Sequence, residues 1–242
     1  MHGAIVTGVS KGLGEALARL LLARDFHVIG IGRNSSPRLA GGGYRFVACD
    51  LGDVAGIDAA VEGPFAELAA AKPATVCLIN NAASAEPVGV LGRLEAAAIE
   101  ASLAVNLAAP TVLANRFCRA FVEQVPESRI INVSSGAAQS AIPGASLYSI
   151  AKAGLEMLTR SLAAEHRAPG FRAITLRPGV IDTPMQTFIR SQSQERLPSV
   201  AMFQDFHASG RLVPPDVVAA RIVDRLVTAD VEQGRTYSYA EL

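Results

Sequence analysis

The sequence predicts an α/β protein: one doubly wound parallel sheet of about seven strands, with helices on both faces. Three observations predict it. Short β-branched apolar runs alternate with helix-periodic runs along the whole chain. The apolar runs are continuous, as in strands covered on both faces, and not alternately polar. Half of the 242 residues are hydrophobic and only 18% are charged, which allows one large buried core. No repeat, low-complexity tract or linker divides the chain, so 1–242 reads as a single domain.

"GAIVTG" (3–8) is the first strand and runs into a glycine-rich turn. "GLGEALARLLLARD" (12–25) has leucines and alanines three and four apart, the spacing of an amphipathic helix. "HVIGIG" (27–32) and "YRFVACD" (44–50) are the second and third strands. A helix is expected within 53–72, interrupted near Gly63 and Pro64 because an interior proline removes a backbone bond. "TVCLIN" (75–80) is the fourth strand. Two helical stretches cover roughly 92–125, followed by "RIINVSS" (129–135). A helix containing "LYSIAKAG" (147–154) runs to about 167, and "RAITLRPG" (172–179) is the sixth strand. The long segment 183–212 breaks this rhythm. A last helix (about 215–228) and a short strand (about 235–239) close the chain.

Formal net charge is zero, with 22 basic and 22 acidic residues and no basic run. Nucleic acid and anionic membrane surfaces are therefore not expected as partners; a small molecule is. Cys49, Cys77 and Cys118 are widely spaced within apolar segments, which fits reduced thiols and no metal role. The first strand begins almost at Met1, and no apolar run is expected to reach about 18 residues. The expectation is a cytoplasmic protein with neither signal peptide nor transmembrane helix.

"TGVSKGLG" sets Gly8, Gly12 and Gly14 between the first strand and the first helix. In an open α/β sheet this is where a dinucleotide binds, its pyrophosphate on free N–H groups of the helix N-terminus. Gly8 permits the turn, Gly12 lets backbone approach phosphate, and Gly14 lets helix and strand pack closely. Ser10, Lys11 and Leu13 complete the candidate cradle. An NAD site usually has an acid at the end of the second strand. Here that stretch is "GIGRNSS" (30–36), with Arg33, Asn34 and Ser35 and no acid. A guanidinium binds a 2′-phosphate through paired hydrogen bonds, so NADP(H) is the expected cofactor, with Lys11 assisting.

The remaining candidates fall at the carboxyl ends of strands, where the ligand crevice of such a sheet lies. They are "INNAAS" (79–84), Ser135 at the end of "INVSS", and "RPGVIDTPM" (177–185), with Asn106 in a neighbouring helix. Tyr148 and Lys152, four apart, share a helix face at a Cβ separation of about 5–6 Å.

Together these residues make the chain resemble the short-chain dehydrogenase/reductase family over essentially its full length. The matching pieces are T-G-x-x-x-G-x-G (7–14), Asp50, N-N-A (80–82), Asn106, Ser135, Y-x-x-x-K (148–152) and P-G-x-x-x-T (178–183). Ala83 departs from the family, which usually has glycine there. The resemblance implies a Rossmann-type sheet in the order 3-2-1-4-5-6-7 and a catalytic set of Asn106, Ser135, Tyr148 and Lys152. Tyr148 would give a proton to a substrate carbonyl. Lys152 and the oxidised nicotinamide would lower its pKa from about 10, and Lys152 would hold the nicotinamide ribose. Ser135 would hold the substrate oxygen, and Asn106 would link Lys152 through water into a proton relay. Asp50 and Leu51 would meet the adenine, Asn81 and Ala82 the ribose side, and Pro178, Ile181 and Thr183 the carboxamide.

The segment 183–212 resembles the family's mobile substrate lid, and Met185, Phe188, Met202 and Phe203 would line it. "GVIDTPMQTFIR" and "NVSSGAA" are similar to the sepiapterin reductase and benzil reductase branch, whose members reduce vicinal dicarbonyls with NADPH. Sepiapterin reductases carry an acid on the final strand; here Ser238 stands near that place and Glu241 lies further along. The resemblance thus implies an NADPH-dependent carbonyl reductase acting on an apolar or aryl α-dicarbonyl. The alternatives are an NAD(P)-dependent alcohol dehydrogenase on another substrate and a non-catalytic NADP-binding sensor or scaffold. A homodimer is expected, with a tetramer as the variant, through the alanine-rich helices near 100–122 and 150–165.

Overall fold

A computed structural model describes all 242 residues. Its strands are β1 (His2–Thr7), β2 (Phe26–Gly32), β3 (Tyr44–Ala48), β4 (Thr75–Asn80), β5 (Glu127–Val133), β6 (Phe171–Arg177) and β7 (Thr236–Ser238). They form one sheet in the order β3-β2-β1-β4-β5-β6-β7, and every neighbouring pair is parallel. The helices are α1 (Gly12–Leu22), α2 (Ile57–Ala70), α3 (Ala96–Leu103), α4 (Ala109–Phe121), α5 (Ser146–Glu165), α6 (Pro184–Arg190), α7 (Val200–Ala208) and α8 (Pro215–Ile222).

Alternate side chains of each central strand enter opposite layers, so both faces are apolar. Ala4 and Val6 of β1 pack with Leu17 and Leu21 of α1 and with Val218 and Ile222 of α8. Ile5 packs on the other face with Phe65 of α2 and Leu113 and Phe117 of α4. Fully burying one such side chain contributes about 1.5–3 kcal/mol. The two layers therefore hold the sheet firmly enough to present its carboxyl edge as a rigid platform.

Three expectations about the elements change. The break at Gly63 and Pro64 does not occur: α2 is continuous with Pro64 inside it. Ile57, Val61, Pro64, Phe65 and Leu68 form its buried stripe, and their burial exceeds the roughly 3 kcal/mol that an interior proline costs. The two stretches across 92–125 are one helix, Ala96–Phe121, because a π-helical segment, Ala104–Ala108, joins α3 to α4. By length and composition this helix could cross a membrane, a run that reading it as two pieces concealed. Its Phe117 and Phe121 are packed into the core, with Phe121 against Phe65 of α2. Finally, 183–212 is not irregular, since α6 and α7 fold within it. Its base is pinned by the parallel bridge between Ile181 and Val213, where Val213 N–H donates to the Val180 carbonyl at 2.9 Å.

Candidate active site

Helix α5 lies against β5 and β6 through Ala151, Leu155 and Leu162, which brings Tyr148 and Lys152 to the carboxyl end of β5. Lys152 is 2% exposed, and its Nζ donates to the Val133 carbonyl at 2.7 Å while lying 5.4 Å from the centre of the Tyr148 ring. Ser135, two residues past Val133, begins the 3₁₀ turn Gly136–Ala138; its Oγ accepts from Ala137 N–H at 3.2 Å and also bonds the Tyr148 phenol. Three of the four predicted catalytic residues thus meet at one strand end.

Burial pushes the Tyr148 phenol up to about 12, opposed in part by the Ser135 hydrogen bond. Burial pushes the Lys152 ammonium down to about 8. The expectation that Lys152 lowers the tyrosine is therefore not met by the protein's own groups. Desolvation of the phenol is the larger effect, and the ammonium spends its hydrogen bond on a main-chain carbonyl. A phenol protonated at neutral pH is in the state that a proton donor requires.

Asn106 sits in the π-helical segment, a rare element often found at functional sites. Its Oδ1 accepts from Ser84 N–H at 2.8 Å, and its Nδ2 donates to the Ser84 carbonyl at 2.9 Å and to Ser102 Oγ at 3.3 Å. None of these contacts reaches Lys152 directly; the amide holds the segment after β4 in place. Beneath α5 runs a buried chain that sequence reasoning missed. Asn80 Nδ2 donates to Asn132 Oδ1 (2.8 Å), Asn132 Nδ2 to Thr159 Oγ1 (2.9 Å), and Thr175 Oγ1 to Thr159 Oγ1 (2.7 Å).

The glycine turn has the geometry of a phosphate cradle. Gly8 takes φ 75° and Gly12 φ 64°. A Cβ on Gly14 would stand 2.3 Å from the Gly8 carbonyl oxygen, so only glycine lets α1 approach β1 this closely. No side chain caps α1, which leaves its first-turn N–H groups without an internal acceptor. Thr7 Oγ1 accepts from the N–H groups of Asn81 and Ala82, each at 2.9 Å, and Asn81 Nδ2 donates to the Thr7 carbonyl at 2.8 Å. That clamp joins the ends of β1 and β4.

Arg33 and Asn34 are exposed at the end of β2, and Lys11 is exposed in the turn. Neither cation is among the chain's ion pairs. Asp50 follows β3 with its Oδ1 accepting from Gly52 N–H at 2.9 Å, and Leu51 is buried beside it. Across the crevice, a Cβ on Gly12 would lie 3.3 Å from the Thr183 methyl. The segment holding Pro178, Ile181 and Thr183 therefore closes over the turn. On α6, Gln186 Oε1 and Arg190 Nη1 are buried with no hydrogen-bond partner. An uncapped helix start, a glycine cradle and unpaired cations around one crevice fit a dinucleotide phosphate.

Of the lid residues, Phe188 and Phe203 pack against the small cluster of Val88, Leu197 and Val200. Met185 is half-buried outside that cluster, and Met202, 38% exposed, faces away from it on α7. Met202 therefore does not line the lid's apolar cluster: α7 turns it outward when Val200 and Phe203 turn in. Glu241 accepts from Ser238 Oγ and N–H and pairs with Arg235; the Ser238 bonds first, then Arg235, hold its carboxyl down at about 2.

A family model described as short chain dehydrogenase matches residues 2–194. The chain is 31% identical over 242 residues to the benzil reductase ((S)-benzoin forming) of Bacillus cereus, covering 97% of each. It is 27% identical over 242 residues to the sepiapterin reductase of Xenopus tropicalis, covering 92% of this chain and 90% of that one. Among solved structures, the KRED1-Pglu enzyme superposes with a TM-score of 0.84 at 29% identity, covering 98% of this chain and 100% of that one.

Proposed function

The chain belongs to the short-chain dehydrogenase family, and on that premise we propose that it is an NADPH-dependent reductase of apolar or aryl α-dicarbonyls. Membership makes it an oxidoreductase of the C=O/CH–OH couple using a nicotinamide cofactor. The reductase chemistry is carried by Tyr148 and the buried Lys152 on α5, with Ser135 at the phenol.

When bound, the cofactor supplies hydride to the carbonyl carbon. The protein's part is to hold and to protonate. The Ser135 hydroxyl donates to the substrate carbonyl oxygen and stabilises charge arising there. Tyr148, kept neutral by burial, delivers its proton to that oxygen. The Lys152 ammonium holds the nicotinamide ribose, and Asn106 keeps the 81–86 segment shaped around it. The turn Gly8–Gly14, including Ser10, Lys11, Gly12 and Leu13, takes the pyrophosphate, while Arg33 and Asn34 take the 2′-phosphate. Asp50 and Leu51 flank the adenine, Asn81 and Ala82 the ribose, and Pro178, Ile181 and Thr183 the carboxamide.

Full-length similarity to benzil reductases supports the dicarbonyl class. Pterin is disfavoured because Glu241, the acid just past the final strand, already binds Ser238 and Arg235. Ile150 and Met157, half-exposed on α5 and seven residues apart, form an apolar face that supports a homodimer.

The test is oxidation of NADPH and of NADH against benzil, 1-phenyl-1,2-propanedione, sepiapterin and a simple aryl ketone, with Tyr148→Phe beside the wild type. Diketone turnover with NADPH, lost in the variant, is expected. Turnover of sepiapterin alone, or no turnover by a protein that binds NADPH, would remove the dicarbonyl reading.

A further inference from the structure

One carboxylate gathers the three segments that carry the active site. Glu156 lies one helical turn beyond Lys152 on α5. Its Oε1 accepts from Arg177 Nε at 2.8 Å and its Oε2 from Arg177 Nη2 at 2.7 Å, a two-pronged pair. Oε1 also accepts from Ser134 Oγ at 3.0 Å, and the same hydroxyl lies 3.2 Å from the Lys152 carbonyl. Ser134 stands between Val133, which receives the Lys152 ammonium, and Ser135, while its N–H donates to the Leu176 carbonyl at 2.7 Å. Arg177 is the last residue of β6, directly before Pro178 and the wall that ends in Thr183.

The pair differs from the chain's other ion pairs. Its side chains are 13% and 21% exposed, against 82% and 70% for Glu195 and Arg93. Exposed pairs contribute little and tolerate many geometries. A pair withdrawn from water must keep its partners, because the surviving charge would otherwise be stranded. Such a pair is suited to setting orientation.

We propose that Glu156, through Arg177 and Ser134, is a positioning residue that keeps Lys152, Ser135 and the 178–183 wall in register around the nicotinamide half of the cofactor. This rests on the reductase reading above. The adenosine half, held at the other end of the crevice by the glycine turn and Arg33, should not depend on Glu156.

The experiment compares wild type with Glu156→Gln and Arg177→Gln, singly and together. Binding of NADPH and of 2′,5′-ADP is measured by calorimetry, alongside diketone kinetics and thermal midpoints. For Glu156→Gln we expect kcat lower by about 10–100-fold with little change in diketone KM, since small misplacements near the reacting atoms are costly. NADPH should bind about tenfold more weakly through the disturbed ribose contact of Lys152, while 2′,5′-ADP binds as to wild type. The double variant should be no worse than either single one, because the two residues act as a unit. Wild-type kcat and NADPH affinity in Glu156→Gln would overturn the proposal. So would equal weakening of NADPH and 2′,5′-ADP, which marks a general loss of folding. If wild type binds NADPH yet reduces no carbonyl, the reductase reading falls and the two-ligand comparison still judges Glu156. If it binds neither ligand, both fall.

Discussion

The Lys152 ammonium donates to the Val133 carbonyl at 2.7 Å, which ties the charge on α5 to the strand end that also presents Ser135. Lysine is held there at the expense of its hydration, and burial lowers its pKa to about 8. Cofactor affinity that relies on this ammonium should weaken as pH rises through about 8. Tyr148, raised to about 12, stays protonated across the same range. Titrating the NADPH dissociation constant between pH 6 and 10 checks this. Lys152→Arg, whose guanidinium keeps its charge, should move the alkaline limb upward. A limb that stays put in that variant would assign it to another group.

The same burial links stability to pH. The unfolded chain keeps this proton up to 10.5, whereas the folded chain gives it up near 8. Between those values the unfolded state binds more protons, so stability rises with pH across that window. Tyr148 acts in the opposite sense from 10.0 upward, where the folded state keeps the proton longer. Lys152→Met should abolish activity yet raise stability at pH 7 by about 1–3 kcal/mol. Urea midpoints at pH 7 and 9.5 would show the rise in wild type and its absence in the variant.

Arg33 and Lys11 are cations without a carboxylate partner beside the crevice. Arg33→Asp should weaken NADPH by about 100-fold or more while leaving NADH within a few-fold, since a charge-assisted bond becomes a repulsion. Kinetics with both cofactors decide. Equal losses for both would place Arg33 away from the 2′-phosphate.

Thr159 Oγ1 receives hydrogen bonds from Asn132 and Thr175 and donates to the Leu155 carbonyl at 3.1 Å. Thr159→Val keeps the shape but strands two buried donors, at a cost of about 2–4 kcal/mol. Chemical denaturation measures this. None of these groups reaches the crevice, so the loss should be independent of cofactor.

Ile150 and Met157 give α5 its free apolar face. Replacing both with glutamate should shift a dimer to monomer in light scattering, with the thermal midpoint little changed because both side chains are half-exposed. An unchanged molar mass would move the interface elsewhere.

Much of this protein was legible along the chain. Alternating apolar runs and helix periods located the elements, and glycine spacing with Tyr148–Lys152 located the crevice, because periodicity and local motifs are properties of neighbours in sequence. The break expected at Pro64 failed for the converse reason: a local rule about proline met the burial of Phe65 and Leu68, which only packing reveals. The single helix through Asn106 escaped notice because a π-helical joint has no periodicity of its own to mark it; the amide there reaches Ser84, 22 residues away.

The sequence by itself determined the class of fold, the order of its elements, the proposed reacting groups and the cation at the end of β2. Tertiary structure alone decided how those groups are charged and held. Glu156 and Arg177 lie 21 residues apart, and Asn80 and Asn132 lie 52 apart. Pairings over such distances carry no local signature. The direction of the Tyr148 and Lys152 shifts is likewise set by desolvation, which depends on what the folded chain stacks around each group and not on which residue stands beside it in sequence.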